Sequence, residues 1–273
     1  MGTDASSARR VPAVLPATLP HRPLRVAHRG ASARAPENTL AAFREAIRLG
    51  ADAIELDVQL SADGVPMVIH DDTVDRTTNG HGRVSAIASR DLRRLDAGAW
   101  FSSRFRGERI PTLEEALEGA RGRSGLNIEI KEPPASGRRS AGAARRPAGR
   151  GPDAIARAVA QAVARTGFRD LLLVSSFSGE ALLHARAAMP AVHLGFLASR
   201  SLRGVRAVHK RVRLFALHPH VRLATPRRVR LARRLGLAVV FWTVNDVRLM
   251  RRLVALGGDG LMTDDPALFQ ELR

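Results

Sequence analysis

The chain has 273 residues, of which 45% are hydrophobic, so it is long enough for one large domain with a sizeable core. It contains no cysteine, which excludes disulfides, thiolate metal sites and a cysteine nucleophile. Its net charge is +18, almost all from arginine, but aromatics make up only 4% and tyrosine is absent; with so few base-stacking groups, nucleic-acid binding is disfavoured as the main role, while attraction of anionic small molecules is favoured.

Residues 1–23 carry a weak apolar stretch broken by Pro12, Pro16 and Pro20. They read as a disordered lead-in rather than an export signal, and the expected compartment is the cytoplasm. The longest apolar run, residues 237–242, is far too short to span a bilayer. Strands are predicted over 24–28, 53–58, 126–131, 171–175, 192–197, 213–217, 238–243 and 260–263. Most are separated by enough chain for a crossover helix, as parallel pairing requires. Eight such units predict a closed (β/α)8 TIM barrel occupying residues 24–273. A ninth run, 65–70, follows the second strand after a short connection containing Asp63-Gly64. That connection suits a hairpin, so a small insertion is expected over about 60–107, at the barrel mouth.

Helix signals agree with this scheme. Leu40, Phe43 and Ile47 share a face after Asn38-Thr39, and Gly50 closes the segment. Thr112 and Glu115 form a capping box after Pro111, and Asp265-Pro266 starts a final helix. Residues 133–152, rich in Gly, Pro, Ala, Ser and Arg without periodicity, read as a mobile loop.

The chemistry concentrates at strand ends. Glu55 and Asp57 stand two apart on a strand, so both carboxylates face one side, and hard oxygen ligands of this kind suit Mg²⁺, Ca²⁺ or Mn²⁺; the plainer alternative is a solvent-facing polar edge. Glu129 and Lys131 repeat the spacing on the third barrel strand. Glu129 can complete a three-carboxylate site and Lys131 can hold a phosphate oxygen; the plainer alternative is a Glu–Lys pair satisfying itself. His28 and Arg29 close the first strand, and His70 closes the 65–70 run. Two histidines so placed suit an acid–base pair, and Arg29 offers a planar fork to phosphate, although a single histidine more often makes a structural hydrogen bond. Trp242 and Phe177 fit either a substrate wall or core packing. The remaining histidines, His218 and His220 among them, are read as structural.

In this order the motifs resemble the glycerophosphodiester phosphodiesterase family over about residues 24–268: VAHRGASARAPENTLAAF, then AIELDVQL, then MVIHDD, and later LNIEIK, VSSF, FWTVN and DGLMTDDP. The resemblance implies a barrel that hydrolyses glycerophosphodiesters to glycerol 3-phosphate and an alcohol. It implies a divalent cation, Mg²⁺ or Ca²⁺, on Glu55, Asp57 and Glu129, with His28 and His70 as the acid–base pair. Arg29, Lys131 and Trp242 become substrate-binding residues, and Glu37 a structural support. A related reading has lysophospholipids as substrates and requires an apolar groove beside the site. A more distant one is a noncatalytic barrel that binds anions or nucleic acid. The expected partner is a small-molecule glycerophosphodiester, with no obligatory nucleic acid and no transmembrane segment; the oligomeric state is left open.

Overall fold

The computed structural model describes residues 22–131 and 152–272. The lead-in and the Arg-rich loop expected from sequence therefore lie, but for their last residues, outside the described residues. The strands are β1 (Leu24–Ala27), β2 (Ala53–Leu60), β3 (Pro66–Val68), β4 (Gly125–Ile130), β5 (Leu172–Ser176), β6 (His193–Ala198), β7 (Ala216–Pro219), β8 (Ala238–Phe241) and β9 (Gly260–Thr263). The helices are α1 (Leu40–Arg48), α2 (Ser89–Leu92), α3 (Leu113–Ala120), α4 (Pro152–Thr166), α5 (Gly179–Ala188), α6 (Val205–Val212), α7 (Pro226–Arg234) and α8 (Val247–Ala255). All strands but β3 pair in parallel, and pairing of β1 with both β2 and β9 closes the barrel.

The closure follows from the side-chain pattern. On β2, Ile54, Leu56 and Val58 are fully buried in the large core shared with the outer helices. The alternate residues turn into the lumen, where Val26, Ala53, Val240 and Met262 make a separate apolar plug, with Leu24, Leu171 and Trp242 packed on it. The lumen is thus filled below and polar above.

β3 returns antiparallel on β2, with Val58 opposite Val68 and Leu60 opposite Pro66. The hairpin predicted from Asp63-Gly64 is present, and Gly64 takes φ +82°, where its lack of Cβ matters. The segment that follows has its own small core, including Met67, Ile69, Val84 and Leu92. Thr112 and Glu115 make both bonds of the predicted capping box at α3. Thr39 caps α1 by accepting from the Ala42 N–H, although the buried face of α1 centres on Ala42, Phe43 and Ala46, with Leu40 and Ile47 at its edges.

Two expectations are corrected. The strand predicted over 213–217 is β7, Ala216–Pro219. Arg213 instead ends α6 in the left-handed region (φ 50°), and the parallel register with β6 starts only at Gly195 opposite Ala216. The shift carries His218 into the barrel. The final helix is a 3-10 helix, Pro266–Leu272; Asp265 still caps it, accepting from the Ala267 N–H at 3.1 Å.

Candidate active site

The acidic cluster is a product of register. Glu55 and Asp57 point into the lumen from β2, and β4 pairs with β2 so that Asp57 lies opposite Glu129 and Glu55 opposite Asn127. Oxygens of Glu55, Asp57 and Glu129 lie within 4.8 Å of one another, and all three residues are buried. Burial, reinforced by the charges of its two neighbours, pushes the Glu55 carboxyl well above the usual carboxylate range. Burial and then the Asp57 charge push Glu129 up to about 7. Burial also opposes ionisation of Asp57, but Arg29, Lys131 and His70 together with an Asn38 hydrogen bond outweigh it and hold that carboxyl low. Three acids this close do not all ionise without further positive charge. Buried hard oxygen donors converging from two strands therefore fit a divalent cation.

Arg29 and Lys131 supply part of the compensation. Lys131 Nζ lies 3.1 Å from Glu129 and 3.5 Å from Asp57, so the Glu–Lys pair foreseen as the plain alternative exists inside the cluster. Arg29 donates its backbone N–H to Glu55 at 2.9 Å and its Nη1 to Glu37 at 2.9 Å, while its Nε sits 3.3 Å from Asp57. Arg29 and Asn38 both have φ 56°, an uncommon conformation for residues with a side chain. The pair is tied together: Asn38 donates its N–H to the Arg29 carbonyl and its side-chain amide to Asp57, and accepts from the Asp57 N–H. The turn between β1 and α1 therefore holds Asp57 as well as Arg29.

Each histidine has a carboxylate on Nδ1. His28 is 2.6 Å from Asp264, which also accepts from Ser32 and from Asn245. His70 is 2.6 Å from Asp71, whose other oxygen accepts from Arg76. Arg76 in turn grips both oxygens of Glu37, at 2.8 Å each. Gln59 donates to the carbonyls of Ile69, His70 and Asp71 and so fixes the turn that carries the second histidine. Nδ1 is engaged in each ring, and among the described residues neither Nε2 has a hydrogen-bond partner. Burial, seconded by the charges of Arg29 and Lys131, lowers the His70 pKa in spite of Asp57. A cleft of about 500 Å³ opens beside His28, Arg29 and Asp264.

Of the residues singled out from sequence, His28, Arg29, Glu55, Asp57, His70, Glu129 and Lys131 converge at the C-terminal end of the barrel, linked by the contacts above. Trp242 stands past the end of β8, its Nε1 donating to the His218 carbonyl at 2.7 Å, with its ring edge-on to Phe177 (5.6 Å) and His220 (5.0 Å). Its ring packs on the luminal plug, as the core-packing alternative expects. Sequence reasoning missed Asp264, Asn38 and Arg76. The signal for Asp264 was available in principle: Ala27 pairs with Thr263, so residue 264 must lie beside residue 28. Arg76 offered none, since it reaches Glu37 across 39 residues of chain.

A closed parallel barrel with carboxylates, basic residues and a histidine pair at its C-terminal mouth defines a barrel enzyme architecture. The profile of the glycerophosphoryl diester phosphodiesterase family matches residues 28–268, and the chain belongs to that family. It is 38% identical over 242 residues to a glycerophosphodiester phosphodiesterase of Caldanaerobacter subterraneus subsp. tengcongensis, covering 88% of this chain and 93% of that one. A phosphodiesterase from Oleispira antarctica, solved in complex with the product sn-glycerol-3-phosphate, superposes with a TM-score of 0.82 at 32% identity, over 92% of this chain and 96% of that one. A glycerophosphodiester phosphodiesterase from Agrobacterium tumefaciens gives a TM-score of 0.75 at 33% identity, over 92% of this chain and all (100%) of that one. Among the described residues no helix is long and apolar enough to cross a membrane.

Proposed function

We propose that this chain hydrolyses glycerophosphodiesters to glycerol 3-phosphate and an alcohol, with Glu55, Asp57 and Glu129 holding a divalent cation and His28 and His70 exchanging protons with the substrate. The observation that carries this reading is the pair of carboxylate-anchored histidines beside one buried acidic cluster. Membership of the family and the product-bound Oleispira relative support the substrate class.

When bound, Mg²⁺ or Ca²⁺ would supply positive charge against a nonbridging phosphate oxygen. Arg29 and Lys131, already poised over the carboxylates, add charge where the transition state becomes more anionic. One histidine takes a proton at Nε2 from the attacking hydroxyl as the new O–P bond forms. The other, protonated, gives its Nε2 proton to the departing alkoxide as the second O–P bond breaks. Asp264 and Asp71 hold the two rings in orientation through Nδ1. The same groups serve whether water attacks directly or a glycerol hydroxyl attacks first to form a cyclic phosphate. Replacing His28 or His70 with Ala and following glycerol 3-phosphate release from glycerophosphocholine tests the assignment; near-parental rates in both variants would defeat it.

A second reading, lysophospholipid hydrolysis at the same site, is favoured by one feature: Phe177 is 44% exposed beside Trp242. Faster turnover of lysophospholipids than of glycerophosphocholine would select it.

A further inference from the structure

The mouth of the barrel has two unlike rims. Around β9, β1, β2 and β4 the basic side chains are held by acids: Arg29 by Glu37 and Asp57, Arg34 by Asp265, Arg76 by Glu37 and Asp71, and Lys131 by Glu129. Around β5 to β8 they are not. The loops leaving β6 and β7 carry Arg200, Arg203 and Arg222, all exposed. Among the described residues none of the three guanidiniums reaches an acidic group, and the pairs nearest in sequence are Arg211–Glu180 and Arg233–Asp259. The sequence enforces this, because Asp246 is the lone acid between Glu180 and Asp259. The same rim exposes the ring of Phe177, braced edge-on by Trp242, with Leu202 half-buried on the next loop.

An exposed aromatic on a rim whose loops carry arginines without acidic partners has an evident complement. Arginine heads bind phosphates while their stems and a neighbouring apolar ring lie at the boundary between headgroups and acyl chains. Single-stranded nucleic acid makes a different demand, namely several ring faces on which bases stack, and among the described residues the only strongly exposed aromatic on this rim is Phe177. We propose that the β5–β8 rim docks on an anionic lipid bilayer, with Phe177 entering the headgroup layer and Arg200, Arg203 and Arg222 on lipid phosphates. The catalytic cleft then opens toward phosphodiesters presented at, or released from, a membrane surface. The substrate part of this inference rests on the reading under Proposed function; the docking part does not.

Co-sedimentation of the full chain with vesicles tests it. Vesicles of phosphatidylcholine mixed with phosphatidylglycerol should bind the protein, vesicles of phosphatidylcholine alone should bind it much less, and added salt should release it. A general polycation would do the same, so two triple variants decide. Arg200→Gln/Arg203→Gln/Arg222→Gln should weaken binding on the order of a hundredfold, about fivefold per arginine. Arg213→Gln/Arg234→Gln/Arg252→Gln removes equal charge from the helix ends remote from the mouth and should cost less than about fivefold. Phe177→Ala should weaken binding roughly tenfold. Equal losses in the two triple variants, no binding to the anionic vesicles, or displacement from them by oligonucleotide at lower concentration than by phosphatidylglycerol would each overturn the proposal. Glycerophosphocholine turnover is followed in parallel. It should be unchanged in the rim arginine variant, and its absence from the parent protein would remove the enzymatic reading while leaving the vesicle result standing.

Discussion

The two halves of the barrel wall carry different burdens. β9, β1, β2 and β4, with the turn after β3, carry the groups proposed for the chemistry: His28, His70, Arg29, Lys131 and the carboxylates Glu55, Asp57 and Glu129. β5 to β8 turn mostly neutral groups inward, namely Ser175, Gly195, His218 and Val240, and end in the aromatic trio of Phe177, His220 and Trp242. Charged groups need each other at about 3 Å, and only adjacent strands bring them that close, so the chemistry is gathered on neighbours. Volume and apolar contact can be supplied from any distance, so the other half fills the lumen and walls the cleft.

The strongest way to break this division is to remove one of the proposed proton-transfer histidines from the charged half and one ring from the other. His28→Ala and His70→Ala are each expected to lower turnover of glycerophosphocholine by roughly a hundredfold to ten-thousandfold. His220→Ala, which takes a ring from the aromatic corner, is expected to cost no more than about tenfold, as lost packing rather than lost chemistry. Comparable losses would mean that both halves take part in the reaction.

A second comparison sets function against stability at Glu129. Its carboxyl is pushed up to about 7, above an unfolded value of 4.5. A carboxyl raised in the folded state binds its proton more tightly there, so the cation-free protein loses stability as pH rises from 4.5 toward 7. Glu129→Gln should therefore melt higher than the parent at pH 7 without added cation, by up to about 3 kcal/mol in stability. The same variant should bind Mg²⁺ or Ca²⁺ at least roughly tenfold more weakly in calorimetry. Parental cation affinity would exclude Glu129 from the ligand set.

The neutral half has its own titration. His218 is wholly buried, neither ring nitrogen meets a protein partner, and burial lowers its pKa from 6.5 to about 4. A depressed histidine contributes stability that is complete above its unfolded value and declines as pH falls from 6.5 to about 4. The expected loss is about 3 kcal/mol, and His218→Leu should flatten that limb of the stability-versus-pH curve. An unchanged limb would place the acid sensitivity in the charged half instead. The smallest effect is expected at Gly195, where an added Cβ would sit 2.9 Å from His218 Nε2. Gly195→Ala should cost about 1–3 kcal/mol in denaturant unfolding, with turnover at saturating substrate little altered.

Much of this was legible before any coordinates. Alternation along 53–58 put Glu55 and Asp57 on one face and Ile54, Leu56 and Val58 on the other, and the structure keeps both assignments. The capping box at Thr112 and the hairpin at Asp63-Gly64 were equally clear, because each is a local pattern with one geometric solution. The strand predicted over 213–217 failed because the apolar run there belongs partly to the end of α6; only pairing with β6 fixes where β7 begins. His218 was read as structural without any sign that it lies in the lumen, since that placement depends on the shifted register.

The sequence by itself therefore determined the element types, the alternating faces and the family, because those follow from periodicity and from ordered short motifs. The tertiary structure decided which groups meet: Asp264 on His28, Arg76 on Glu37, and Trp242 on Phe177. Those contacts join residues tens to hundreds of positions apart. Electrostatic partnership is set by distances of a few ångströms, and a linear chain encodes such distances only after the barrel has closed.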